Sequence, residues 1–124
     1  MNIDKLTVGQ VREIAALAGG IASKPSTIPY PVGEWVLVRT RDSGVWFAKL
    51  SGYDPTTRHA HLTEARRLWS WQGAFTLSTV ALDGVESARM PAAVPVVTVA
   101  DVAELLPCSV IAIHNLNNIT VYKP

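Results

Sequence analysis

The chain reads as an α+β fold: a small twisted antiparallel β-sheet, a meander or partial barrel, with an N-terminal helix and one or two further short helices. Two observations lead there. From residue 34 onward, short apolar, β-branched and aromatic runs alternate with Gly, Pro, Asp and Ser clusters, the pattern of half-buried strands joined by turns. Capped amphipathic runs stand at the N-terminus and again in the second half. At 124 residues the chain has the usual size of one domain, enough to bury about two-thirds of its unfolded surface. The division expected is a single domain, 1–124: an N-terminal helix in 1–20, a linker over 21–33, and a β-rich body over 34–124.

Thr7 precedes the amphipathic run Val8 to Ala18, and Gly19-Gly20 stops it; Gln10, three residues after Thr7, completes a capping box. Val11, Ile14, Leu17 and Ala18 share one stripe, so this helix packs on something. From Gly19 to Pro31 the chain is rich in Gly, Ser and Pro, a linker. Glu34 to Arg41 and Val45 to Leu50, joined by Asp42-Ser43-Gly44, form a β-hairpin. Trp35, Leu37 and Arg39 share one face and Val36, Val38 and Thr40 the other; in the second strand Val45, Phe47 and Lys49 oppose Trp46, Ala48 and Leu50. Neither face is polar, so a helix should cover one and a partner the other. A second turn spans Gly52 to Thr57, and short strands follow over His59 to Leu62 and Arg66 to Trp71.

Phe75 to Val85 reads as a helix with a Leu77, Val80, Ala81 stripe and a stop at Gly84. Glu86 to Pro91 reads as loop. Val94 to Val99 is a β-branched strand, with Pro95 placing it at an edge or a start. Ala100 to Leu106 has no decisive period, and Pro107 ends it. Pro107-Cys108-Ser109 opens a helix with Pro near its first position, which Asn115 to Asn118 stop. Ile119 to Tyr122 is a last short strand.

Eleven basic against ten acidic residues give a net charge of +1, no electrostatic footprint for polymeric DNA or RNA. No run approaches the ~20 apolar residues of a spanning helix, and the N-terminus lacks a signal-peptide pattern. A single cysteine, Cys108, excludes an intrachain disulfide and fits a reducing compartment. A soluble intracellular protein is expected. With 48% apolar and 17% charged residues, part of the surface should be covered by a second copy, making a homo-oligomer.

No nucleophile elbow, phosphate-binding Gly-Lys-Ser loop or zincin motif occurs. His59 and His61 share a strand face as a possible metal pair, but only Glu64 is near as a third ligand, so exposed histidines are the better reading. His114 reads as a hydrogen-bonded helix-end residue. Cys108 at a helix start could have a lowered pKa, yet no base accompanies it. No catalytic residue, metal site or cofactor is assigned.

Binding is better supported. In Ala65-Arg66-Arg67-Leu68-Trp69-Ser70-Trp71-Gln72-Gly73-Ala74, strand alternation puts Arg67, Trp69 and Trp71 on one face and Arg66, Leu68 and Ser70 on the other. Arginine forks onto phosphate and indole offers a plane to a base, so a nucleotide suits this face. Arg39 and Arg41 come from another strand, with Trp46 and Phe47 close to the turn at Gly44. The plainer alternative makes these tryptophans core or interface residues and Arg66-Arg67 a solvated strand end.

The run Arg39-Thr40, Ser43-Gly44-Val45-Trp46-Phe47-Ala48, the block Leu62 to Ala74, Leu77-Ser78 and Leu105-Leu106-Pro107-Cys108 resembles a group of small phage and prophage proteins. That group is similar to the first-described Thoeris anti-defence proteins, sponges for the cyclic ADP-ribose signal of bacterial TIR proteins. Asp42, where a small or aromatic residue is usual, and the Pro-Thr-Thr insertion after Tyr53 depart from the pattern. The resemblance implies a non-enzymatic homo-oligomer, dimer or hexamer, in the cytoplasm of the infected host. It would bind a glycocyclic ADP-ribose isomer, with cyclic oligonucleotides at separate sites. Arg39, Arg66, Arg67, Trp69 and Trp71 are carried over as ligand-facing, with Trp46, Phe47 and Gly73 as pocket walls. A structural or host-takeover interaction module without nucleotide is the second reading; a hydrolase using His59, His61 or His114 is the third.

Overall fold

A computed structural model describes residues 30–123; the expected N-terminal helix, and the linker up to residue 29, lie outside them. The elements in chain order are β1 (Trp35–Thr40), β2 (Val45–Asp54), β3 (His59–Leu68), β4 (Ser70–Gln72), α1 (Leu77–Asp83), β5 (Ser87–Arg89), β6 (Val94–Val99), β7 (Val102–Pro107) and α2 (Val110–Asn117). Five strands form an antiparallel sheet in the order β6-β3-β2-β1-β7, and β4 pairs with β5 separately. The α+β twisted sheet expected from the sequence is the fold observed.

The expected hairpin β1–β2 forms, with Val38 opposite Trp46 and Leu37 opposite Phe47. Its turn needs Gly44 at φ +81, and the buried Thr40 is satisfied there: its hydroxyl donates to the Gly44 carbonyl at 2.9 Å and accepts the Ser43 N–H at 2.8 Å.

The two outer strands, β6 and β7, are joined by residues 100 and 101 alone. So short a link can connect opposite edges only if the sheet rolls until they meet at that end. Both edges contribute to one cluster: Val99 and Val102 pack with Val36, Val38, Trp46, Leu50, Leu62 and Ala65 on the concave face. The sheet's own curvature therefore covers the face for which a partner was expected. Helices cover the other face, where Leu37, Phe47 and Leu68 pack with Val80, Ala81, Met90, Ala112 and Leu116.

Two irregularities between β2 and β3 shift the alternation. The β2–β3 register changes between Phe47 and Lys49, opposite Glu64, and again between Leu50 and Gly52. Glu64 takes φ +51, so the concave face passes from Leu62 to Ala65 rather than to Glu64. Beyond the bulge, Arg67 falls on the concave side and Arg66 on the helix-covered side.

Thr76 caps α1 by accepting the Thr79 N–H, and Ser109 caps α2 by accepting the Ala112 N–H at 3.0 Å. Asn115 ties the helices together, its amide exchanging two 2.9 Å bonds with the backbone of Val85. Four expectations are corrected. The segment read as loop contains β5, and the indecisive stretch after Ala100 is strand β7. Pro107 ends β7 rather than opening α2. The expected terminal strand over Ile119 to Tyr122 is a single parallel bridge, Met90 to Val121.

Candidate functional site

Arg66 and Arg67 point to opposite sides of the sheet and have different employment. Arg66 is 7% exposed. Its Nε donates to the Pro91 carbonyl at 2.9 Å, its Nη2 to the Met90 carbonyl at 3.0 Å and its Nη1 to the Leu116 carbonyl at 3.3 Å. Burial pulls its pKa below the usual guanidinium value, although arginine stays protonated in proteins. The fork that was expected to face a ligand instead clamps the end of β5 to the end of α2.

Arg67 is exposed. Its guanidinium carbon lies 4.2 Å from the centre of the Trp46 ring, a cation–π contact, and its Nη1 donates to the Ser43 carbonyl in the β1–β2 turn. Trp46 is 5% exposed in the concave core, and its indole N–H has no partner among the described residues. It acts as a platform under Arg67, not as a pocket wall. Phe47 is fully buried on the other face, stacked on Trp35 with ring centres 4.8 Å apart, and so serves the core.

The strand expected over Arg66 to Trp71 breaks at Trp69, which lies between β3 and β4 and is 62% exposed. Its N–H donates to the Arg89 carbonyl at 3.1 Å. The Arg89 guanidinium carbon lies 5.2 Å from the ring centres of both Trp69 and Tyr122. Tyr122 is fastened by its own N–H, which donates to the Met90 carbonyl at 2.9 Å. That carbonyl is the one Arg66 holds from below.

Two open depressions meet at Arg89 and Tyr122. One, about 310 Å³, is lined by Arg67, Trp69, Arg89, Pro91 and Tyr122. The other, about 350 Å³, is lined by Ser70, Trp71, Gln72, Ser87, Ala88, Arg89 and Tyr122. Each lies in the volume range of small-molecule sites. Among the described residues Arg39, Lys49 and Arg58 pair with carboxylates, whereas Arg67 and Arg89 meet none.

Of the other expected residues, Arg39 pairs with Glu104 at 2.8 Å across β1 and β7 and lines neither depression. Trp71 lines the second one while packing half-buried on the helix-side core; its Nε1 donates to the Ala74 carbonyl at 3.2 Å. Gly73 is a backbone requirement: it sits at φ +92, and a Cβ there would stand 2.7 Å from the Glu86 nitrogen. Arg89 and Tyr122 were not anticipated. A three-residue strand is too short to show a period, and Tyr122 reaches the site only through a tertiary bridge.

Among the described residues no group of His, Cys, Asp and Glu could hold a metal ion. The Nδ1 atoms of His59 and His61 are taken up locally, by the Thr57 carbonyl at 3.2 Å and the Thr98 hydroxyl at 2.9 Å. Cys108 runs opposite to expectation: burial pushes its thiol up to about 12, and Ser109, not Cys108, supplies the helix cap. No helix among the described residues is long and apolar enough to cross a membrane.

No curated protein and no solved structure matches this chain. A family model does, over residues 33–116, from the turn before β1 almost to the end of α2 and so across Arg67, Trp69 and Arg89 but short of Tyr122. On that match, which spans well over half of its length, the chain belongs to the family described as a domain of unknown function, DUF6948.

Proposed function

We propose that this protein binds and sequesters a small nucleotide signal, of the glycocyclic ADP-ribose class, without cleaving it. The observation that carries the reading is the pair Arg67 and Arg89, each lying on an aromatic ring and neither meeting a carboxylate among the described residues. Stacking holds a guanidinium in place while leaving its N–H edge available, the arrangement that recognises phosphate oxygens. Trp69, largely exposed between them, offers a plane to a base. The Arg-Arg-aromatic block that supplies Arg67 and Trp69 is also the most specific part of the resemblance to anti-defence sponges, which directs the choice of messenger. Capture in the cytoplasm of an infected host by a homo-oligomer belongs to the same reading.

Sequestration demands affinity rather than turnover, so nanomolar binding, about −12 kcal/mol, is required. The test is isothermal titration of the full chain with glycocyclic ADP-ribose, then heating the complex and identifying the released nucleotide by chromatography. Tight binding with intact release supports the proposal, and Arg67→Ala and Arg89→Ala should each weaken it tenfold or more in protein that still folds. Absence of binding heat, or a cleaved product, overturns it.

A further inference from the structure

We propose that the groove between α1 and β7 is the seat of this chain's own N-terminal segment, Leu6 to Ala18. An open depression of about 330 Å³ runs between Ala81 and Leu82 of α1 and Leu105, Leu106 and Pro107 of β7. The first turn of α2 flanks it, since the Ser109 hydroxyl donates to the Leu82 carbonyl at 2.6 Å. Leu82, Val110 and Ile111 are 62%, 83% and 67% exposed, more clustered apolar surface than solvent-facing helices usually carry. β7 is the last strand of the sheet on this side.

The chain enters the described body beside that groove. Tyr30 packs on Tyr53 with ring centres 4.7 Å apart and planes tilted by 58°, and Tyr30 and Pro31 line a second depression that shares Leu105 and Pro107 with the first. The sequence before Tyr30 carries an apolar stripe of Val11, Ile14, Leu17 and Ala18 behind a capping box. Residues 19 to 29 can span up to about 36 Å when extended, ample to return this stripe to the groove of the same molecule. Stripe and groove are both short and apolar, and nothing among the described residues covers the groove.

Amide hydrogen exchange of the full chain tests this. Amides of residues 8–18 should exchange at least tenfold more slowly than an unstructured peptide, at a rate independent of protein concentration. Leu82→Asp and Ile111→Asp, at exposed positions, should each abolish that protection while amides of β1 to β3 stay protected. Val96→Asp, on the exposed part of β6, should leave it intact. Unprotected amides over 8–18, protection untouched by both groove variants, or protection lost on dilution, which would mean a segment donated by a second copy, each overturns the proposal.

Discussion

Replacing Arg66 by alanine separates the two adjacent arginines most sharply. Of its three acceptors, the Pro91 carbonyl has no other donor among the described hydrogen bonds, whereas Met90 also accepts from the Tyr122 N–H and Leu116 from the N–H groups of Asn118 and Ile119. The bond from the charged guanidinium to the Pro91 carbonyl is worth about 1.5–3 kcal/mol net, and its loss falls toward the low end because Pro91 is itself exposed, so water can reach the freed oxygen. The two weakened acceptors and the lost packing of a side chain that is 7% exposed add about 1 kcal/mol more. Arg66→Ala should therefore lose about 2–4 kcal/mol, a large part of the stability of a domain this size. Urea unfolding followed by circular dichroism reads this as a lower midpoint at constant slope. Arg66→Lys should recover only part of the loss, because one ammonium cannot reach three carbonyls at fork geometry. A midpoint for Arg66→Ala within about 0.5 kcal/mol of wild type would show that the clamp carries no stability and refute the division of labour between Arg66 and Arg67.

Cys108, with a thiol raised from 9.0 to about 12 by burial, should resist disulfide reagents at pH 8 in the native protein and react at once in denaturant. Its contribution to stability is full below pH 9 and is lost as pH rises toward 12, falling by about 1.4 kcal/mol per pH unit in that window; alkaline unfolding of Cys108→Ser should lack this component. Gly73→Ala forces a side chain into positive φ and against the Glu86 backbone, so a loss of about 1–3 kcal/mol is expected in thermal melts, together with exposure of β4 and β5 to exchange. Trp46→Phe removes an indole N–H that has no partner among the described residues, offsetting part of the lost volume. Its unfolding free energy should stay within about 1 kcal/mol of wild type, against about 3–5 for Trp46→Ala.

The parts of this fold readable from sequence are those whose cause is local. Asp42-Ser43-Gly44 announces its hairpin because the turn needs positive φ at Gly44, and Gly84, at φ +80, announces the end of α1 for a similar reason. β7 was not readable, because its pairing with β1 joins residues 62 to 71 positions apart, Thr40 with Val102 and Val36 with Pro107, and Val102 to Pro107 carries no clean period. The same holds for Arg89 and Tyr122. They join Trp69 only because β4 pairs with β5 and Val121 bridges to Met90, contacts that leave no mark on neighbouring residues.

The bulge at Glu64 decides which arginine serves the fold and which serves the surface. Uninterrupted alternation from Leu62 would have put Arg66 on the concave side and Arg67 against the helices. One extra residue, in a backbone conformation that glutamate seldom adopts, exchanges their roles. Arg66 then reaches the carbonyls of Met90 and Pro91, and Arg67 comes to lie on Trp46. The consequence extends beyond these two residues, because the Met90 carbonyl that Arg66 grips also receives the Tyr122 N–H. Arg66 thus positions one wall of the cleft from beneath while Arg67 lines the other. A substitution at Arg66 that still folds should loosen Tyr122 and Arg89 together, and any effect on the proposed nucleotide site would be indirect, appearing with altered Tyr122 mobility rather than without it.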